Sequence, residues 1–247
     1  KYLGEQFDIH CGGTDHISVH HTNEIAQSEA ATGKQWVSYW LHGEFLIDDT
    51  GKMSKSKGEF LTLDYLLQRG YDPLDYRYFC LGAHYRSQLQ FSFEALDAAK
   101  RARYNLMDRI SVIADELQDS ERKPDDAALS SEGMAILDTF SGHVANDLNM
   151  PRALSELWNA VKSTELPADE KLLVIGRMDR VLGLDLLSAA AAGNDIDRAG
   201  IEALIVERQQ ARQERNYSRA DEIRDILLQM DIEIKDTPAG TTWRKKL

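Results

Sequence analysis

The chain is short of the features that would place it outside the cell or in a bilayer. It has two cysteines, Cys11 and Cys80, in 247 residues. They make no paired spacing, which excludes a disulfide framework and points to a reducing, cytoplasmic setting. No apolar run approaches the ~20 residues of a membrane span, so no membrane partner is expected. Positive charge is in deficit: 29 Lys and Arg stand against 41 Asp and Glu, a net charge of −12. That balance argues against a broadly basic nucleic-acid surface, although local clusters can oppose it. Proline is sparse, with five residues. The chain opens without Met on the strand-like "FDIH", and a strand there needs neighbours, so preceding sequence is expected.

What is present divides the chain into three stretches. Residues 7–10 read as a strand ending at Cys11-Gly12-Gly13, residues 16–33 as a helix stopped by Gly33, and "QWVSYWLHGEFLI" (35–47) as one buried strand. Strand, helix, strand is the unit of a parallel α/β sheet, whose ligands sit at the C-terminal strand ends. From residue 63 the pattern turns helical. Asp72-Pro73 opens one helix, and Ser92 caps a longer one with Leu96, Ala99, Leu106, Ile110, Ile113 and Leu117 on one face. Residues 119–133 read as a loop. Leu137, Phe140, Val144 and Leu148 mark the next helix, Asn149-Met150-Pro151 starts another, and a fourth ends at Gly183. After a small-residue linker (188–197) come two amphipathic helices and a hairpin turning at Pro238-Ala239-Gly240. The expected fold class is α/β followed by all-α: half of an α/β domain, a helical bundle, then a small mixed α/β module.

Three features could carry chemistry. "GKMSKSKG" (51–58) places Lys52, Lys55 and Lys57 between two glycines, with serines interspersed. A mobile backbone with ammonium and hydroxyl groups suits wrapping a polyanion, although most such loops are solvated hairpin tips. "GGTD" offers Gly12 and Gly13 for close backbone approach and Asp15 to accept from ribose hydroxyls, a weak signal alone. Four of the seven histidines, His10, His16, His20 and His21, fall in the first 24 residues. His20 and Glu24, four apart, share a helix face and could hold zinc, but such pairs are more often surface hydrogen bonds. The aromatic run Trp36, Tyr39, Trp40 and Phe45 reads as core.

Taken in order, "FDIHCGGTDHISVHHTNEIAQSEAATG", "YWLHGEFL", "GKMSKS", "AHYRSQLQFSFEALDAAK", "DLNMPRAL" and "SRADEIRDILLQMDIEIKDTPAGTTW" resemble the cysteinyl-tRNA synthetases, a family of class I aminoacyl-tRNA synthetases. The resemblance implies ATP-dependent activation of L-cysteine and its transfer to tRNA(Cys), with Mg2+ accompanying ATP, by a cytoplasmic monomer. It implies three domains: residues 1–62 as the C-terminal half of a Rossmann-like nucleotide-binding domain, 63–190 as a stem-contact region and bundle, and 191–247 as an anticodon-binding module. Lys52 and Lys55 would be catalytic, with Met53, Ser54 and Ser56 beside them at the ATP phosphates. Gly12, Gly13 and Asp15 would lie against adenosine. His20 and Glu24 would match two of the four ligands of a zinc ion that binds the substrate thiol. Arg212, Tyr217, Asp221 and Asp236 would read the anticodon.

The family's two cysteine ligands and its "HIGH" word have no counterpart in residues 1–247, so this chain alone is expected to be inactive. Two other readings remain at this stage. One is the related cysteine ligase of mycothiol synthesis, and the other is a non-catalytic, synthetase-derived RNA-binding protein.

Overall fold

Gly33 takes a left-handed φ of 68°, ends the first helix and turns the chain back toward a strand parallel to the one before it. This is the computed structural model of the protein; it describes residues 2–48, 51–52, 62–118, 129–188, 198–230, 232–237 and 240–245. The chain divides into two compact units, 1–187 and 188–247. Both are mostly helical with small sheets.

In the first unit, β1 (Phe7–Gly13), α1 (His20–Thr32) and β2 (Val37–Gly43) form a strand–helix–strand unit with parallel register Phe7↔Val37 through Gly13↔Gly43. The single strand expected over 35–47 is in fact two. It breaks after Gly43, and β3 (Leu46–Asp48) joins another sheet, between β4 (Gly51–Lys52) and β5 (Leu89–Gln90). The break is held by Tyr85, whose carbonyl accepts from Glu44 N at 2.7 Å, and by Leu89 N donating to Phe45 O at 3.1 Å. The aromatic run is not core either. Trp36, Trp40 and Phe45 are half-buried and Tyr39 is 68% exposed.

The helical part comprises α2 (Leu63–Gln68), α3 (Pro73–Leu81), α4 (Phe93–Gln118), α5 (Ser131–Ala145), α6 (Met150–Lys162) and α7 (Ala168–Leu182). Its core is the apolar stripe expected for α4, with Leu96, Leu106 and Ile110 fully buried, against Leu157 of α6 and Val174, Ile175, Met178 and Leu182 of α7. Burying each such aliphatic contributes roughly 1.5–3 kcal/mol. The loop expected over 119–133 is shorter at its C-terminal end: Ser130 caps α5 through Gly133 N at 3.1 Å. Residues 119–128 lie outside the described residues.

Polar ties fix α3 in the bundle. Asp72 and Asp75 form a capping box around Pro73. Asp75, fully buried, accepts from Arg103 Nη1 of α4 at 3.0 Å. Tyr78 Oη accepts from Trp158 Nε1 of α6 at 3.0 Å, and Arg77 Nε donates to the Leu182 carbonyl that ends α7. Leu148, expected inside a helix, instead sits in a tight corner. It and Asp147 have φ of 53° and 55°, and the Asp147 carboxylate accepts from Tyr85 Oη at 2.6 Å and Arg86 Nη2 at 3.2 Å. Such backbone angles are unfavourable for side-chain-bearing residues and persist where contacts fix them.

The second unit pairs α8 (Arg198–Gln213) with α9 (Tyr217–Gln229) and an antiparallel hairpin of β6 (Ile232–Thr237) and β7 (Gly240–Lys245). Ile201, Ile205, Ile223, Leu227 and Ile232 form its core, with Leu204, Ile234 and Trp243 packed on it. Among the described residues, no helix is long and apolar enough to cross a membrane.

Candidate active site

Parallel pairing places Gly12 beside His42 and Gly13 beside Gly43 at the C-terminal ends of β1 and β2. A single 3₁₀ turn at Thr14–His16 leads from there towards α1, whose first two residues are His20 and His21. Five histidines therefore gather at one place. His21 is 3% exposed, and its Nδ1 lies 2.9 Å from His42 Nε2. His10 Nε2 lies 3.1 Å from Glu24 Oε2, and His20 Nε2 lies 3.6 Å from Glu24 Oε1. His16 is tilted against His20 and meets His21 edge-on, with ring centroids at 4.8 and 5.1 Å. Trp36 and Trp40 wall the cluster: His10 meets their rings at 5.4 and 4.9 Å, and His21 lies 4.7 Å from Trp40.

Burial is the main cause that holds the His21 pKa below its ordinary value. The neighbouring His10 adds to this, and Glu24 opposes it. A neutral buried imidazole offers a lone pair, the state a metal or a proton-accepting role requires.

Gly12 is needed for steric reasons. A Cβ there would lie 2.5 Å from His21 Cε1 and 2.8 Å from His16 Nδ1. A Cβ at Gly13 would fall 2.5 Å from Asp15 Oδ1. The main chain at this strand end is thus bare on the side where the imidazoles and Asp15 converge. Lys52 closes β4, paired in register with Ile47, whereas Met53, Ser54, Lys55, Ser56 and Lys57 lie outside the described residues.

Sequence reasoning singled out His20 and Glu24 but gave no role to His16, His21 or His42. The density of histidine before residue 25 was the available signal. His42 had none, because its place follows from strand register. Arg103 is not available to a surface, since its guanidinium is buried against Asp75.

In the second unit, Arg212 and Asp236 come together. The Asp236 carboxylate accepts from Arg208 Nη1 and Nη2 at 3.0 and 3.2 Å, from Arg212 Nη1 at 2.5 Å and from Thr241 Oγ1 at 2.7 Å. The Arg208 hydrogen bonds, followed by that of Thr241, hold its pKa far below the usual carboxylate range. Tyr217 opens α9 with 63% of its surface exposed, and Asp221 follows one turn on, 3.4 Å from Arg224.

Residues 1–101 match the model of the tRNA synthetases class I (C) catalytic domain, and residues 198–244 match that of the cysteinyl-tRNA ligase anticodon binding domain. The cysteine–tRNA ligase of Treponema denticola is 45% identical over 99% of this chain and 54% of its own length. Over nearly its whole length the chain is similar to the cysteine–tRNA ligases. Cysteine–tRNA ligase 1 of Burkholderia lata is 46% identical over 97% of this chain and 48% of its own length. The chain therefore spans about half the length of these family members. A crystal structure of methionyl-tRNA synthetase from Mycobacterium tuberculosis aligns over 74% of this chain and 40% of that chain, with 22% identity and a TM-score of 0.44. That likeness is too distant to carry an argument.

Proposed function

We propose that this chain is part of an ATP-dependent cysteine–tRNA ligase, which joins L-cysteine to tRNA(Cys) through a cysteinyl-adenylate. What supports the reading above all is identity of 45% running through 99% of the chain, from the histidine-rich strand end to the final hairpin. In the proposal residues 1–62 belong to a Rossmann-like nucleotide-binding domain, 63–190 contact the tRNA stem and 191–247 bind the anticodon.

Activation joins the cysteine carboxylate to the α-phosphorus of ATP and expels pyrophosphate. Gly12 and Gly13, lacking side chains, would admit the adenosine to the strand ends, and Asp15 would accept from its ribose. Lys55, assisted by Lys52, would neutralise charge developing on the departing phosphates together with Mg2+, with Met53, Ser54 and Ser56 beside them at the phosphates. His20 and Glu24 converge within 3.6 Å and provide the nitrogen and oxygen donors that zinc accepts. They would hold zinc together with ligands from outside this chain. When bound, zinc supplies a soft centre that takes a thiol in preference to a hydroxyl, which separates cysteine from serine. His42 would keep His21 oriented beneath that site.

At the other unit, Arg212, Tyr217, Asp221 and Asp236 would read the anticodon. Tyr217 can stack on an unpaired base. The engagement of Asp236 by two arginines makes its contribution the orientation of Arg212 as much as direct readout.

The test is cysteine-dependent ATP–pyrophosphate exchange and charging of a tRNA(Cys) transcript by the natural full-length protein. Lys55→Ala should raise the exchange barrier by about 2–4 kcal/mol with little change in cysteine binding. Absence of exchange in the unmutated protein would refute the ligase reading. Exchange unaltered by Lys55→Ala would refute only the role of the loop.

A further inference from the structure

We propose that a groove between α4 and α6 binds the ribose–phosphate backbone of RNA, with Arg109 and Lys162 as its phosphate contacts. This rests on the ligase reading and gives residues 63–190 a defined surface for tRNA. Asn105, Asp108, Arg109 and Val112 of α4 line the groove together with Trp158 and Lys162 of α6, around a volume of about 450 Å³. The α4 positions recur at three and four residues and the α6 pair at four, so each helix gives one face to it.

The two cations are held in place. Lys162 Nζ lies 5.2 Å from the centre of the Trp158 ring, where the ring quadrupole attracts it. The ring is itself fixed, because Trp158 Nε1 donates to Tyr78 Oη at 3.0 Å. Among the described residues neither Arg109 nor Lys162 is paired with a carboxylate. By contrast Arg86, Arg103 and Arg219 each face one. In a chain of net charge −12, two uncompensated cations at one groove mark a local site for an anion.

The rest of the lining selects among anions. Asp108 is the one carboxylate there, and it repels a bare phosphate. It can accept from hydroxyls, however, and its several lone-pair sites allow this beside a partner already present. Asn105 offers both a donor and an acceptor. Val112, 48% exposed, and the half-buried Trp158 ring supply apolar surface for a sugar. A phosphate next to a hydroxyl-bearing ring is the repeating unit of RNA, and the 2′-hydroxyl distinguishes RNA from DNA. Such contacts add affinity and register and read no base.

Binding of a tRNA(Cys) transcript to the natural full-length protein, measured from 50 to 200 mM salt, tests this. Each lost phosphate contact lowers the slope of log affinity against log salt by about 1. That fourfold rise in salt should therefore cost Arg109→Gln and Lys162→Gln each about fourfold less affinity than it costs the natural protein. Both should also bind more weakly at 50 mM. Arg152→Gln removes an exposed charge from α6 outside the groove and should leave affinity and slope as they are. Asp108→Ala should weaken binding although it removes a negative charge. Thermal melting checks that each variant folds, and if one of Arg109→Gln and Lys162→Gln does not, the other carries the test. Unchanged slopes in both would overturn the groove and leave the ligase reading intact, as would an equal loss in Arg152→Gln. Tighter binding by Asp108→Ala would overturn the assignment to a ribose-bearing strand. An unmutated protein that neither binds nor charges tRNA(Cys) would refute the ligase reading and the groove with it.

Discussion

Replacing Arg103 with Met should be among the most damaging single changes in the first unit, although it touches none of the candidate site residues. The Asp75 carboxylate has no solvent exposure. It accepts from Arg103 Nη1 at 3.0 Å on one oxygen and from Asp72 N at 3.0 Å on the other. Met keeps the volume and apolar stem of Arg103 and removes the charge, leaving a buried carboxylate with a single amide partner. Breaking a buried pair from one side typically costs 3–5 kcal/mol. That is a large part of the ~5–15 kcal/mol that holds a domain together. At roughly 2–4 °C per kcal/mol for a unit of this size, the melting temperature should fall by about 6–20 °C. Asp75→Asn on the Arg103→Met background should restore part of this, because an amide keeps an acceptor for Asp72 N and carries no charge to strand. Arg103 Nε has no hydrogen-bond partner among the described residues, so an apolar replacement of the whole pair gives up little there. Differential scanning calorimetry of the four proteins of the cycle measures the coupling. A single mutant melting within about 2 °C of the parent would refute the reasoning, as would a double mutant no more stable than Arg103→Met.

Acid should act on the second unit through Asp236. Its folded-state pKa is depressed, so the stabilisation it confers is complete above its unfolded pKa of about 4 and is lost as pH falls towards the folded value. Asp236→Asn should flatten that part of the stability–pH curve, measured by urea unfolding with hydrogen exchange at Ile223 and Leu227; an unchanged curve would assign the acid response elsewhere. Gly183 ends α7 at φ 62°, where a Cβ would also lie 3.1 Å from the Arg77 guanidinium. Gly183→Ala should cost about 1–2 kcal/mol in thermal unfolding, and no loss would mean that the corner relaxes freely.

Elements with a strong local signal were legible in the sequence. The apolar stripe of α4, the Asp72-Pro73 start of α3, and the glycine stops at Gly33 and Gly183 each express one local rule. So does the hairpin of β6 and β7, whose two-residue connection pairs Thr237 with Gly240. Misreadings arose where a contact distant in sequence decides. Nothing in "YWLHGEFL" announces that Tyr85 will take Glu44 N and divide one apolar run between two sheets. Leu148 fits a helical face and leaves it because the corner at Asp147 is tied to Tyr85 and Arg86. The same holds at the candidate site: His20 and Glu24 are a local pair and could be found, whereas His42 reaches the cluster only through strand register.

The corner at Asp147 and Leu148 also constrains how chain length can vary. Its carboxylate is bound to Tyr85, the Tyr85 carbonyl is bound to Glu44, and Glu44 follows the strand that carries His42. Each of these three segments meets the next at a fixed count of residues. Inserting or deleting one residue at 43–45, 84–89 or 146–150 would move a partner by about 3.5 Å, beyond hydrogen-bond reach. Substitution there can be graded, but a change in length cannot. Length differences between members of the family should therefore be excluded from these three stretches.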